Sequence, residues 1–339
     1  EQLDRAVPPL VRVPRLPGLS QKPARPELPA AFALPQRELI LANGIGGFTP
    51  DGREYVITTT PDQLTPAPWV NVLANAQFGS VISESGQAYT WGENAHEFRL
   101  TPWENDPVSD TSGEAFYLRD EETGQFWSPT PLPRRGATPY VSRHGFGYSV
   151  FEHTESGIQS ELWVYVATDA AVKFAVLKLR NLSGRPRRLS ATGYVEWVLG
   201  DLRPKTVMHV VSEVDPYNGA LYARNAYNTE FPNRVAFFDV DDPQRTFTCD
   251  RAEFIGRNGS LANPAALART HLSGKLGSGL DPCCAIQVGC NLADGQAREI
   301  VFRLGVGGLP GGDDANRLVH RFRGNDAARR ALEAVWQFW

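Results

Sequence analysis

Short apolar runs broken by turn residues fill the sequence from Glu38 to Gly312, and no other feature restricts the fold as strongly. Runs such as "REYVITTT", "FGSVISESG", "SELWVYVA" and "VKFAVLKLRN" are rich in β-branched and aromatic residues, and several alternate apolar with polar. That is the period of a strand buried on one face. Between them stand "PDG" at Pro50 to Gly52, "ESG" at Glu84 to Gly86, "EETG" at Glu121 to Gly124 and "ESG" at Glu155 to Gly157, which is hairpin chemistry. The pattern predicts an all-β fold, a large antiparallel β-sandwich, over residues 37–312. No fixed-period repeat points to a propeller or solenoid.

Two flanking segments differ. Residues 1–36 are dense in proline, which removes backbone donors, so an irregular extended linker is expected. From Asp313 a helical period takes over, with Leu318, Phe322, Leu332, Val335, Trp336 and Trp339 on one apolar stripe, so residues 313–339 are read as a short C-terminal helical linker. The chain begins at Glu1 with its only methionine at Met208 and stops at "ALEAVWQFW". A piece of a longer polypeptide is the expectation.

Charge and motifs exclude several functions. With 34 basic and 38 acidic residues and only short pairs such as Arg187-Arg188, nucleic acid is not an expected partner. No window approaches the roughly 18 apolar residues of a spanning helix. The four cysteines, Cys249, Cys283, Cys284 and Cys290, lack CxxC spacing; buried reduced thiols are expected, without metal and in a reducing, cytoplasmic compartment. There is no P-loop, no G-x-S-x-G and no H-E-x-x-H. "NGIGGF", Asn43 to Phe48, reads as a backbone-shaping loop rather than a phosphate cradle.

Two stretches carry candidate chemistry. "TWGENAHEFRLTPWENDPVSD", Thr90 to Asp110, holds Glu93, Glu97, Glu104 and Asp106 beside Trp91, Trp103, Asn94 and Asn105. Its acids allow a paired-carboxylate hydrolase built on Glu97 and Asp106; its aromatics and amides equally allow sugar contact, or a stiff structural loop. In "RHGFGY", Arg143 and His144 offer a phosphate-facing or interface pair, against a satisfied histidine at a strand start with a glycine bulge. Trp127, Trp163 and Trp197 fall on strand patterns and read as core. "EFIGRNGSL", Glu253 to Leu261, reads as a rigid loop.

Six motifs in order bring a resemblance. "NGIGGFTPDGREYVI", "TPAPWVNVLANAQFGSVISESGQAYTW", "LTPWENDPVSD", "YLRDEETGQFWSPTPLP", "RHGFGYSVFEH" and "EFIGRNGSL" together resemble the N-terminal super-sandwich domain of glycoside hydrolase family 94. That family contains inverting phosphorylases acting on cellobiose, chitobiose and β-1,2-oligoglucan, and the phosphorylase-like region of cyclic β-1,2-glucan synthases, whose wording the second and third motifs most resemble. His96 departs from the family pattern, where an arginine-like residue accompanies that glutamate.

The resemblance implies a galactose-mutarotase-like super-sandwich followed by an (α/α)6 barrel carrying the general acid beyond Trp339, so no catalytic residue is expected on this chain. It further implies inorganic phosphate as co-substrate of the parent enzyme, no cofactor, and β-glucan oligosaccharide or polysaccharide, the barrel and a homodimer mate as partners. The substrate-contact candidates are then Trp91, Asn94, Glu97, Trp103, Asn105, Asp106, Arg143 and His144. A stand-alone carbohydrate-binding or assembly sandwich is the alternative. An inverting phosphorolysis needs one acid for the leaving oxygen while phosphate attacks the opposite face, which replaces the second carboxylate of a hydrolase.

Overall fold

Alternation along the strands stacks this chain into layers. The computed structural model describes residues 37–308 and 314–339; the proline-rich segment 1–36 lies outside the described residues. A ten-stranded antiparallel sheet runs in the order Gly46–Phe48, Glu54–Thr59, Tyr140–Gly145, Tyr148–Glu155, Ile158–Val166, Val172–Asn181, Ala297–Gly308, Arg234–Val240, Leu221–Asn225, Val210–Val214. A five-stranded sheet follows the order Thr246–Asp250, Pro282–Leu292, Arg187–Glu196, Glu114–Asp120, Phe126–Trp127, and a three-stranded sheet joins Val70–Ala74, Phe78–Ser83 and Ala88–Gly92. The expected antiparallel sandwich is therefore what the chain forms.

The hairpins follow the turn residues. Ser156 and Gly157 both take left-handed φ, 51° and 77°, and join Glu155 to its register partner Ile158 in a two-residue loop. Such primed turns match the right-handed twist of the strands they connect.

Period-two alternation sends neighbouring side chains to different cores. Leu162, Leu177 and Phe302 of the large sheet meet Leu118, Ala191 and Ile286 of the five-stranded sheet, forming the inter-sheet core. Each of the fully buried leucine, isoleucine and phenylalanine side chains there contributes about 1.5–3 kcal/mol. Cys284 points into this core whereas its neighbour Cys283 points the other way, against Phe254 and Leu267. All four cysteines are free and buried; the Cys249 and Cys284 sulfurs are 3.6 Å apart.

The outer face of the large sheet is covered by two helices, Ala315–Arg321 and Asn325–Phe338; their Leu318, Val319 and Val335, with Phe322 just past the first helix, pack on Phe174 and Val301. Asp314 caps the first, its Oδ1 accepting from the Arg317 amide at 2.6 Å. Buried Arg303 binds the junction, pairing with Asp239 and Asp241 and donating to the Phe322 carbonyl at 2.7 Å.

Three sequence expectations change here. Trp336 and Trp339 lie on the predicted stripe but are 50% and 61% exposed, Trp336 meeting the half-buried rings of Tyr148 and Trp163 edge-on at 6.3 and 6.1 Å. Trp127 and Trp197 are core, whereas Trp163 sits half-buried on the outer face of the large sheet, stacked on Tyr148 at 5.6 Å. The "EFIGRNGSL" stretch begins as a helical turn, Arg251–Ile255, capped by Asp250, before it becomes a loop.

An aromatic cleft on the three-stranded sheet

The sequence from Thr90 to Asp110 is pinned at its middle as well as at its two ends, where Thr90 is buried and Asp110 is bonded to Ser83. Phe98 and Leu100 are buried, the Leu100 amide donates to the Thr90 carbonyl at 2.8 Å, and Arg99 bridges both Trp91 and Gly200. A bridge between Trp103 and Ser112 then closes the segment 104–111 into a loop. Side chains before and after the pinned middle are thereby delivered to different places.

Glu97 goes to a polar cavity of about 430 Å³ shared with Lys205, His209, Asn225 and Tyr227. It also meets His96 Nδ1 at 2.7 Å, and its amide donates to Asn94 Oδ1 at 3.0 Å, so Asn94 acts as a turn former. Glu93, with a left-handed φ of 57°, is paired with Arg234.

Trp103, Asn105 and Asp106 go instead to a cleft of about 290 Å³ on the outer face of the three-stranded sheet. Tyr89 forms its wall, its ring 4.4 Å from that of Trp103 and 5.2 Å from that of Trp91. Tyr89 and Trp91 share a face because they are two apart on one strand. Val70 and Val81 extend the apolar surface. The result is an aromatic platform rimmed by an amide and two carboxylates, the composition that suits an uncharged, hydroxyl-rich ligand.

The two carboxylates have opposite electrostatics. Asp106 folds its own loop, Oδ2 accepting from the Ser109 hydroxyl at 2.6 Å and Oδ1 from the Val108 amide at 2.9 Å. Those bonds hold it below the usual carboxylate range. Asp110 is pushed up to about 6, chiefly by burial, while a 2.6 Å bond from the Ser83 hydroxyl opposes the shift and the charges of Glu84 and Asp106 add to it. Its φ of 46° and that of Asn105, 51°, are left-handed, which Asp and Asn tolerate better than other side chains.

Beneath the cleft lies a buried polar knot. Glu114 Oε1 accepts from the hydroxyls of Thr90 at 2.6 Å and Thr101 at 2.8 Å, and its Oε2 is paired with the Lys173 ammonium. Lys173 also donates to Thr90 Oγ1 at 2.6 Å and Ser80 Oγ at 3.1 Å. The knot ties the three-stranded sheet to both larger sheets.

Arg143 and His144 lie apart from the cleft and from one another, since consecutive strand residues face opposite ways. Arg143 Nε donates to Glu152 at 2.8 Å, its Nη1 pairs with Glu54, and its guanidinium lies 5.4 Å from the Trp163 ring centre. His144 Nε2 is 3.1 Å from the Trp69 carbonyl and Nδ1 is 2.8 Å from Ser149 Oγ. Since a carbonyl only accepts, Nε2 carries the proton. Burial lowers its pKa to about 4, so the imidazole is neutral.

The structure thus gathers Trp103, Asn105 and Asp106 in one place with Trp91 beside them. Asn94 and Glu97 are carried elsewhere, and Arg143 and His144 to the large sheet. Tyr89 and Asp110 were not singled out from sequence; the i, i+2 spacing of Tyr89 and Trp91 is the signal for the first. Among the described residues no cluster of His, Cys, Asp or Glu could hold a metal ion, and no helix is long and apolar enough to cross a membrane.

A large antiparallel sandwich with this motif order is a domain of carbohydrate-active enzymes: the chain belongs to the glycosyl hydrolase 94 family, residues 53–325 matching its supersandwich domain. It is similar to the cyclic beta-(1,2)-glucan synthase NdvB of Rhizobium meliloti strain 1021, with 36% identity over 96% of this chain. It is also similar to the N,N'-diacetylchitobiose phosphorylase of Vibrio furnissii, with 32% identity over 87% of the chain. The chain spans 11% of the synthase and 37% of the phosphorylase. Among solved structures, a bacterial glucoamylase complexed with acarbose matches over 84% of this chain and 40% of its own at 7% identity, with a TM-score of 0.46.

Proposed function

We propose that this chain is the non-catalytic sandwich of an inverting glycoside phosphorylase or glycosyltransferase acting on β-glucan, with β-1,2-glucan the favoured substrate. The observation that carries the reading is the Tyr89 and Trp103 platform with Asn105, Asp106 and Asp110 at its rim. A pyranose ring stacks its apolar face on an aromatic ring and gives its hydroxyls to planar polar groups around it. The acids there are engaged otherwise. Asp106 is spent on its own turn, and Glu97 lines a different cavity, so the pair a hydrolase would need is not assembled.

In this reading the general acid and the phosphate site lie in the barrel of the same polypeptide, on the cytoplasmic side, with inorganic phosphate as co-substrate and no further cofactor. The sandwich supports that barrel, helps form a homodimer and offers the cleft to the glucan. The 36% identity to a cyclic β-1,2-glucan synthase supports the choice of linkage.

Calorimetric titration of β-1,2-linked gluco-oligosaccharides into the chain tests it, with Trp103→Ala as control. Binding lost in Trp103→Ala, without glucose release in the absence of phosphate, is the expected result. No binding would remove the sugar contact and leave a scaffold. Glucose release without phosphate that Glu97→Gln abolishes would overturn the reading.

A further inference from the structure

The aromatic cleft does not end at Asp110. Beyond it opens a second cavity of about 520 Å³, and Gln87, Pro102, Asp110 and Thr111 line both spaces. The far wall of the second cavity is the loop at Ser260 to Ala262, and Glu196 and Arg251 also line it. These two are fixed to each other, Arg251 Nε donating to Glu196 Oε2 at 2.8 Å while Nη1 reaches Asp281 at 3.3 Å. The first cavity holds the aromatic side chains, and the second mixes the ion pair and hydroxyl residues such as Ser112 and Ser260 with apolar Leu132, Ile255 and Leu261.

Gln87 stands in the wall between them with an unmet need. Its residue is 6% exposed, and its Nε2 has no hydrogen-bond partner among the described residues. The backbone of Gln87 is already satisfied through Ser83, whose amide donates to the Gln87 carbonyl at 2.9 Å and whose hydroxyl accepts from the Gln87 amide at 3.3 Å. Only the side-chain donor is left over. A buried donor without a partner is unfavourable, and a ligand oxygen reaching the wall of either cavity would complete it. The donor is uncharged, so an ether or hydroxyl oxygen satisfies it as fully as an anion would.

We infer that the two cavities are one groove that holds an extended oligosaccharide. One hexopyranose unit stacks on Trp103, which Tyr89 backs, the Gln87 amide donates to an oxygen at the crossing, and following units lie between Asp110 and the Ser260 to Ala262 loop. This rests on the sugar-binding reading above and adds to it: the groove measures chain length, so a disaccharide fills the aromatic end alone. The two volumes each suit a ligand-sized occupant, and the four residues that line both make them adjacent.

Titration of the chain with β-1,2-linked gluco-oligosaccharides of increasing length is the test. Affinity is expected to rise about tenfold from disaccharide to pentasaccharide, the worth of about one added hydrogen bond and its packing. Ala262→Trp, at an exposed loop position, should remove that rise and leave disaccharide binding and the melting temperature unchanged. Gln87→Leu should weaken the longer sugars. Equal affinity for both lengths, or a rise that survives Ala262→Trp, overturns the extended groove while leaving the aromatic site intact. Failure of both lengths to bind the unaltered chain overturns the aromatic site as well.

Discussion

The indole of Trp91 lies on the backbone of Gly79 in the adjacent strand, so closely that a β-carbon at position 79 would stand 2.7 Å from Cε2 and Cη2. Gly79 takes part in the strand because an aromatic side chain needs its space. Gly79→Ala should lift Trp91 off the sheet and tilt Tyr89, whose ring it meets. A loss of about 1–3 kcal/mol is expected from the overpacking. Urea unfolding together with tryptophan emission checks this; an unchanged midpoint and spectrum would show that the indole is not seated on Gly79.

Asp110 should make the protein more stable as pH falls toward 4. Its carboxyl titrates near 3.8 when unfolded and near 6 when folded, so between those values the native state holds more protons. Stability is then lost as pH rises through that window. Allowing for the partial exposure of the side chain, about 1–2 kcal/mol is at stake. Asp110→Asn keeps the left-handed backbone and the acceptor for Ser83. It should raise the melting temperature at pH 7.5 and leave it unchanged near pH 4, and a variant that loses stability at pH 7.5 would contradict the assignment.

The sheets were legible in the sequence because alternation and turn residues are local properties, and the helical tail because a change of period is local too. The cleft was not. Glu97 and Asp106 look like neighbours, yet buried Phe98 and Leu100 between them act as a hinge that sends one to each side. Tyr89 meets Trp103 only because the chain returns on itself at the Trp103 to Ser112 bridge. Asp110 owes its environment to Ser83 and Glu84, which belong to another hairpin. Likewise Trp127 and Trp163 present the same local pattern, and only the sheet order decides which one reaches the core.

His144 titrates in the opposite sense to Asp110. Its pKa falls from 6.5 to about 4 on folding, so the unfolded chain binds the extra proton between those values and stability is lost as pH drops through them. The full effect is about 3 kcal/mol. His144→Gln should be less stable by about 1–3 kcal/mol at pH 7.5, where the bonds to Trp69 and Ser149 are intact in the parent. The gap should narrow steadily toward pH 4, as measured by denaturant midpoints across the range. A gap that stays constant would mean that His144 is charged in the native state or already exposed.

The Lys173 and Glu114 pair gives the largest expected single effect. Both side chains are buried, and burial pushes the ammonium pKa down even with a carboxylate in contact. Two buried charges that satisfy each other are near neutral overall, but removing one leaves the other desolvated and alone. Lys173→Met should therefore destabilise by about 3–5 kcal/mol, because Glu114 retains only the Thr90 and Thr101 hydroxyls. The double variant Lys173→Met with Glu114→Gln carries no buried charge, and Gln still accepts from one hydroxyl. It should recover most of the loss, which a double-mutant cycle in urea would measure. Additive losses would show that the two groups act separately.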